Sequence, residues 1–489
     1  MKIKATKSSR RGRAAGLLSY LAGAICAIFL SVGTGHSASA SPGAQGVSDK
    51  QLAGDLQSTL RNLAAADKFS GAALLAKHDS ILFQGAYGYA ERSFGVKNGV
   101  DTKFNIGSMG KMFTGVAILQ LAEAGKLSLD DRLSKDLPSY PNRAVAKAVT
   151  IRQLLNHTSG LSDFFGPKFV AANMNRFSSL ESLLPFFVNA PLLFKPGSQW
   201  RYSNAGYIVL GLIVAHISGE SYYDYVRRHI FTPAAMRDTG NWPADEVVPN
   251  RAAGYTNMGT EGAARRSNIF FLQRGGSAGG GYSTVGDLLR FAQALQNRTL
   301  LDDRYTQLEL SPQVATGRPG VLYGFGMEQR IINGVRIVGH SGGGPGIQGV
   351  LDIYPDLGYV VSILSNYDNA ASEVDHRLRL AITEAPPAQV LSLSAEDLKA
   401  VAGKYLPVIP PGLGMVPPPI TVTAEGNGIR VDPGMGPAFH FVPTSATNFV
   451  GAEDQTLGIT FIKDATGRVT ALKTTGFGPV PPVTATKQP

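Results

Sequence analysis

Cysteine is almost missing from this chain. The one copy, Cys26, lies in an apolar run near the N-terminus, so beyond residue 40 there is no thiol. That excludes a disulfide framework, a cysteine nucleophile and a zinc site built on cysteine. Histidine is scarce as well, and no two of the eight fall at helical ligand spacing, so no metal is expected, and the serine chemistry read below needs no cofactor. No internal repeat of solenoid period is present. The formal charge of +10 suggests a basic protein, but six Lys and Arg (Lys2, Lys4, Lys7, Arg10, Arg11, Arg13) precede residue 14, and residues 1–40 contain no acid. The remainder holds 40 basic residues against 36 acidic ones, scattered and without a nucleic-acid motif, so no nucleic-acid partner is expected. Long apolar runs are limited to about Leu17–Val32, between that basic segment and Ala38-Ser39-Ala40. This is the layout of a secretory signal peptide over residues 1–40, so the protein is expected to be exported to the periplasm or secreted. The alternative is an uncleaved segment anchoring it in the inner membrane.

What is present falls into an early strand region, a helical middle and a late strand region. Gln51–Ala66 carries leucines at helical spacing, and Gly71–Lys77 with Ile81–Tyr89 forms a hairpin pattern turning at His78-Asp79-Ser80. Helical patterns cover Thr150–Asn156, Leu180–Asn189, Ala205–Ile217, Tyr222–His229 and Thr284–Gln296. Strand signals return at Gly324–Ile332, Val335–Val338, Val350–Tyr354 and Tyr359–Ser365, with Asn333-Gly334 as a strong hairpin turn, and a helix near Ser372–Thr383 closes the region. The economical architecture is α+β: one antiparallel sheet built from both ends of residues 48–385, with a helical region inserted. Residues 386–395 read as a linker, and 396–489 as a small all-β module of short strands.

The chemistry centres on Phe104–Gly125. Ser108-x-x-Lys111 lies where an extended run gives way to an apolar-periodic segment, Met112–Leu121, stopped by Gly125. This spacing places a hydroxyl and an amine one turn apart on one face of a helix start, with the positive end of the helix dipole beside them. A lysine held uncharged can accept the serine proton, which makes Ser108 a candidate nucleophile and Lys111 its base. Tyr202-Ser203-Asn204 is the second candidate. Of four Tyr-x-Asn spacings (the others begin at Tyr140, Tyr255 and Tyr367), only this one sits between a loop closed by Pro196-Gly197 and a strong apolar helix. Third is Gly339-His340-Ser341-Gly342-Gly343, after the strand Val335–Val338, whose glycine amides can donate to a developing oxyanion.

These blocks, in this order, resemble the serine β-lactamase and penicillin-recognising superfamily, in the class C-like branch that also holds DD-peptidases, D-amino-acid amidases and related esterases. The resemblance spans roughly Ser48 to Ala385. Leu154–Leu161 and Gly281–Leu288 are similar to two further blocks of that branch, and the tail resembles small β-barrel modules appended to some members. The resemblance implies Ser108 as the acylated nucleophile, Lys111 as its activating amine and Tyr202 as a proton relay. It implies Asn204 as partner of substrate or lysine, His340, Ser341 and Gly342 along the substrate, and the amides of Ser108 and Gly343 as oxyanion donors. Where β-lactamases of this branch usually carry Lys-Thr-Gly, this chain has His340-Ser341-Gly342. A histidine is mostly neutral at pH 7, which favours an ester, amide or D-peptide substrate over a β-lactam.

The alternatives are a dedicated β-lactamase or DD-carboxypeptidase of the same family, and a non-catalytic binding or receptor protein on the same fold. The C-terminal module is a candidate for contact with a cell-wall polymer. His157 reads as a structural loop residue. Phe164, Phe165, Phe169, Phe177, Phe186 and Phe187 read as core, with some of them a candidate wall for the acyl group. A competing G-x-S-x-G elbow fits at Ser341 and at Ser277, but an elbow needs a strand before it and a helix directly after, and neither position has both. Mutation separates the two schemes: Ser108→Ala should abolish turnover in a chromogenic-ester assay, and Ser341→Ala should not.

Overall fold

The computed structural model describes residues 47–488 except 166–168, 170–176, 258–264, 269–273, 319, 385–389, 409–417, 434–437, 453–456 and 476–482. The expected signal peptide lies outside the described residues. Among those described, no helix is long and apolar enough to cross a membrane.

An eight-stranded antiparallel sheet forms the frame. Its strands are β1 (Gly71–Lys77), β2 (Ser80–Tyr87), β3 (Val314–Ala315), β4 (Val321–Tyr323), β5 (Glu328–Ile332), β6 (Val335–Gly344), β7 (Ile347–Tyr354) and β8 (Tyr359–Ser365). They lie in the order β2-β1-β8-β7-β6-β5-β4-β3, so the early hairpin docks on the last strand, from Gly71 opposite Ser365 to Lys77 opposite Tyr359. Both faces are covered. Along β1, Ala72, Leu74 and Ala76 enter one core while Ala73 and Leu75 enter the other, which is why the strand reads as a continuous apolar run. Helix α1 (Asp49–Ala65), N-capped by Ser48, and helix α5 (Ala370–Ile382) cover the second face, while the larger core and the helical middle lie on the first.

At the centre of the larger core is α2 (Gly110–Glu123). Its sequence suggests one apolar face, but the structure buries every residue from Gly110 to Leu119, together with Leu121 and Ala122. A helix apolar all round belongs inside a core, packed on several sides. Phe113 meets Phe231 and Phe291 edge-on at centroid distances of 5.0 and 4.9 Å. On another side Gly115 admits the Phe325 backbone so closely that a Cβ would lie 1.8 Å from its carbonyl oxygen. Helix α3 (Asn204–Ser218) packs against α2. Ser203 caps its start by accepting from the Gly206 amide, and Gly219 ends it at φ 74°. Helix α4 (Val285–Gln296), capped by Thr284, packs on β1 and β8.

Three expectations change. The strand expected over Val335–Val338 continues to Gly344 as β6, because β7 pairs with it residue by residue from Val338–Ile353 to Gly344–Ile347. Glycine's weak strand preference suggests an end at Gly339, but the partner strand overrides it. The strand expected over Gly324–Ile332 starts later: β5 begins at Glu328, after a turn from the end of β4 in which Gly326 takes φ 108°. Leu180–Asn189 holds a 3₁₀ segment, Glu181–Phe186, with Pro185 inside it rather than a regular helix.

The C-terminal module is a closed eight-stranded barrel. Its strands run in chain order from Gly403–Pro407 to Thr484–Lys487, and the last pairs back on the first. Helix α6 (Ala395–Val401), capped by Ser394, contributes Leu398 and Val401 to the barrel's own core.

Gly115→Ala tests how tightly α2 is held. Alanine is the better helix former by about 1 kcal/mol, yet the variant should lose about 1–3 kcal/mol of unfolding free energy through overpacking, read from the urea midpoint.

Candidate active site

Ser108 lies in a 3₁₀ turn, Gly107–Met109, that leads directly into α2. It is part-exposed, whereas Lys111, one turn on, is fully buried. A ligand can therefore reach the hydroxyl while the amine stays out of water. The Lys111 Nζ is 2.7 Å from Asn204 Oδ1, 2.5 Å from the Ala278 carbonyl oxygen and 3.2 Å from Ser108 Oγ. Burial lowers its pKa from 10.5 to about 7, opposed by the Asp163 carboxylate.

These contacts assign the protons. Two of the three partners are carbonyl oxygens, which only accept, so they take two N–H groups. A neutral amine has no more to give, and its lone pair is left for the Ser108 O–H. After protonation the same nitrogen has three N–H groups for three acceptors. Both states are satisfied without any side chain moving.

Tyr202 keeps part of its ring exposed, but its hydroxyl is out of water and makes no closed hydrogen bond. Burial raises its pKa far above the usual phenol value, with a smaller opposing pull from the Ser108 hydroxyl. It is therefore a phenol facing the serine, suited to passing a proton and poor as a resting base. Below it lies the ring of His157, with centroids 4.3 Å apart. His157 Nδ1 accepts from the Ser203 amide at 3.1 Å, and burial pushes its pKa well below 6.5. This structural histidine holds the Tyr202-Ser203-Asn204 turn through an amide and a ring contact.

His340 and Gly342 are buried on β6, and Ser341 and Gly343 are exposed between and beyond them. His340 Nδ1 lies 2.5 Å from the Ser341 carbonyl and Nε2 lies 3.1 Å from the Tyr323 hydroxyl, so Nδ1 donates and Nε2 accepts. Burial lowers its pKa to about 4, against an opposing pull from Glu328. The β6 backbone presses directly on the serine turn. A Cβ on Gly342 would lie 1.9 Å from the Ile106 carbonyl oxygen, and one on Gly107 would lie 2.9 Å from the Gly343 nitrogen. Only glycine lets these backbones approach so closely, and the contact brings the Gly343 amide beside Ser108.

The structure thus gathers Ser108, Lys111, Tyr202 and Asn204 with the His340–Gly343 strand end. It also adds groups that the sequence reading passed over. Asp163 accepts both the backbone and the side-chain N–H of Asn204 through Oδ2, each at 2.9 Å, which aims Asn204 Oδ1 at Lys111. The glycine-rich run 275–281, weighed above only as an elbow, supplies the Ala278 carbonyl. It is pinned by the Gly280 amide donating to Gly107 O at 2.9 Å and by Thr114 Oγ1 donating to Ser277 O at 2.7 Å. Five glycines in seven residues signal close backbone approach, and that signal was available in the sequence. Among the described residues, no three His, Cys, Asp or Glu side chains converge in a way that would hold a metal ion.

The sequence pattern of the Beta-lactamase family matches residues 56–384. Penicillin-binding protein 4* of Bacillus subtilis is 31% identical over 324 residues, covering 64% of this chain and 71% of that protein. The crystal structure of a penicillin binding protein from Bacillus halodurans matches with TM-score 0.61 and 34% identity, over 65% of this chain and 98% of that one. D-amino acid amidase from Ochrobactrum anthropi SV3 is alike in fold, with TM-score 0.59 and 23% identity over 68% of this chain and 99% of that one.

With Lys111 as base, kcat/KM for an ester should rise with pH along a limb of apparent pKa about 7, because the amine must be neutral to act. Asp163→Asn removes a charge that favours the ammonium, so the limb should move to lower pH, and the loosened Asn204 should lower the plateau by about tenfold or more. A pH–rate profile of the two proteins reads both effects.

Proposed function

The chain belongs to the beta-lactamase family, and from that premise we propose that it is an exported serine hydrolase that turns over esters, amides or D-peptides through an acyl-Ser108 intermediate. The observation that carries this reading is the Lys111 contact set, in which a buried amine has both its neutral-state hydrogens committed and its lone pair left for the nucleophile. The substrate carbonyl sits over Ser108. As the Oγ–C bond forms, the serine proton passes to Lys111, and the amides of Ser108 and Gly343 take the oxyanion. The leaving group receives its proton from Lys111 by way of the Tyr202 phenol. Water then repeats the sequence on the acyl-enzyme, giving the acid and regenerating Ser108.

The preference against a dedicated β-lactamase rests on His340. Its neutral ring donates to its own strand and accepts from Tyr323, so the position that carries a lysine in β-lactamases of this branch here offers no fixed positive charge to a substrate carboxylate. The D-amino acid amidase neighbour, by its name, acts on an amide next to a D-centre. The penicillin-binding relative keeps a second reading in view, in which a β-lactam acylates Ser108 but leaves slowly. Export rests on the basic and apolar segments within residues 1–40, and the barrel is a candidate for contact with a wall polymer.

A side-by-side panel on protein lacking residues 1–40 decides among these. With p-nitrophenyl esters, D-amino-acid amides, D-Ala-D-Ala peptides and nitrocefin at equal concentration, turnover of at least one of the first three should exceed that of nitrocefin by about tenfold or more. Ser108→Ala should remove all of it. Nitrocefin turned over far above the rest would reverse the preference, and a folded protein inert to all four that gains no mass from any would favour a binding role.

A further inference from the structure

A second concavity has no part in the chemistry above. It is a cleft of about 610 Å³ between the Tyr223–Arg237 segment and the Thr239–Trp242 loop, with Arg274 at its edge. That volume lies within the range of small-molecule sites. Its lining includes none of Ser108, Lys111, Tyr202, Asn204 or His340. Lining residue Gly240 exchanges backbone hydrogen bonds with Tyr282 at 3.0 and 2.9 Å, and the Tyr282 strand stands between it and the Phe104–Asn105 strand that precedes the serine turn.

The lining carries a net positive charge on an apolar floor. Phe231 and Met236 are buried at its base, and Trp242 and Tyr223 present half-buried rings. Arg227 is paired with Asp224 at 2.9 Å. Arg237 and Arg274 have no carboxylate partner among the described residues. Arg237 is exposed, while the Arg274 guanidinium lies 3.6 Å from the centroid of the Tyr223 ring, with Nε donating to the Asn241 carbonyl at 2.8 Å. Stacking on a ring and one bond to the backbone fix the plane of that guanidinium, so its remaining N–H groups stand pre-organised for a planar anion. Three arginines and one aspartate leave the lining with two net positive charges, neither neutralised from within the cleft.

We propose that this cleft is a second ligand site, separate from Ser108, for a small carboxylate carried on a flat apolar group. The carboxylate pairs with Arg274 and Arg237, and the apolar body lies on Phe231 and Met236 against the Trp242 indole.

The chain has two tryptophans, Trp242 in this cleft and Trp200 beside His157 and Tyr323 on the catalytic side, so energy transfer reports which site is occupied. Dansylglycine titrated into the protein should bind saturably and be displaced by benzoate but not by benzyl alcohol. Trp242→Phe should reduce the tryptophan-to-dansyl transfer far more than Trp200→Phe does. Arg237→Gln, at an exposed and unpaired position, should weaken binding by about tenfold, and the double variant with Arg274→Gln by more. Four results would each overturn the proposal: no saturable binding, displacement by benzyl alcohol equal to that by benzoate, transfer that follows Trp200, or unchanged affinity in Arg237→Gln with its circular dichroism intact.

Discussion

One nitrogen sets the requirements for the rest of the site. Lys111 Nζ is buried among two carbonyl oxygens and a hydroxyl. An isolated ammonium in that position would carry a large desolvation penalty, and an amine without partners would waste its hydrogens. The arrangement serves both protonation states. A base near neutrality needs an environment that prefers neither form strongly, and the directions of the two opposing influences, burial and Asp163, show how that balance is struck.

Holding three acceptors about one atom requires three separate pieces of chain to meet it. Asn204 arrives on the first turn of α3, set by Ser203 as cap and Asp163 as clamp. Ala278 arrives on a loop that crosses the serine turn so closely that a Cβ on Gly279 would lie 2.2 Å from the Gly107 carbonyl oxygen. Ser108 arrives on the turn that leads into α2, a helix buried all round and so with little freedom to rotate or slide. The sheet supplies the fourth side through β6, whose glycines allow backbone to lie on backbone. The aromatic set of His157, Tyr202, Tyr207 and Tyr323 packs around this junction with the His157 ring at its centre. Replacing that ring would disturb the tyrosine before it touched any reacting atom.

What the sequence shows well is whatever chemistry must spell locally. Ser108 and Lys111 are one turn apart, Tyr202 and Asn204 share a helix start, and the hairpins at His78 and Asn333 carry their turn residues in plain order. The two-ended sheet also follows from strand patterns at both ends of a helical middle. Partners that act through geometry alone are harder to see. Ala278 contributes a backbone carbonyl, and the glycines around it signal close approach without saying which carbonyl is used. Asp163 lies in a loop 41 residues before the Asn204 it orients, with no periodicity to join them. The extension of β6 through Gly344 is decided by its partner strand, and the all-round burial of α2 by what packs on it.

The pairing of β1 with β8 bears on how the molecule comes to be made. Gly71 and Ser365 stand opposite each other, about 300 residues apart along the chain, so this strand pair has a very high contact order. A nascent chain emerging N-terminus first cannot close this sheet until nearly all of the domain has been synthesised. Until then the early hairpin has two apolar faces and an unpaired edge, and α2 lacks the strands that complete its burial. The same wiring that fixes Ser108 between both ends of the domain therefore delays assembly of the sheet until Tyr359–Ser365 has been made. Until then apolar surface and an unpaired strand edge stay exposed, and the polypeptide needs protection from aggregation.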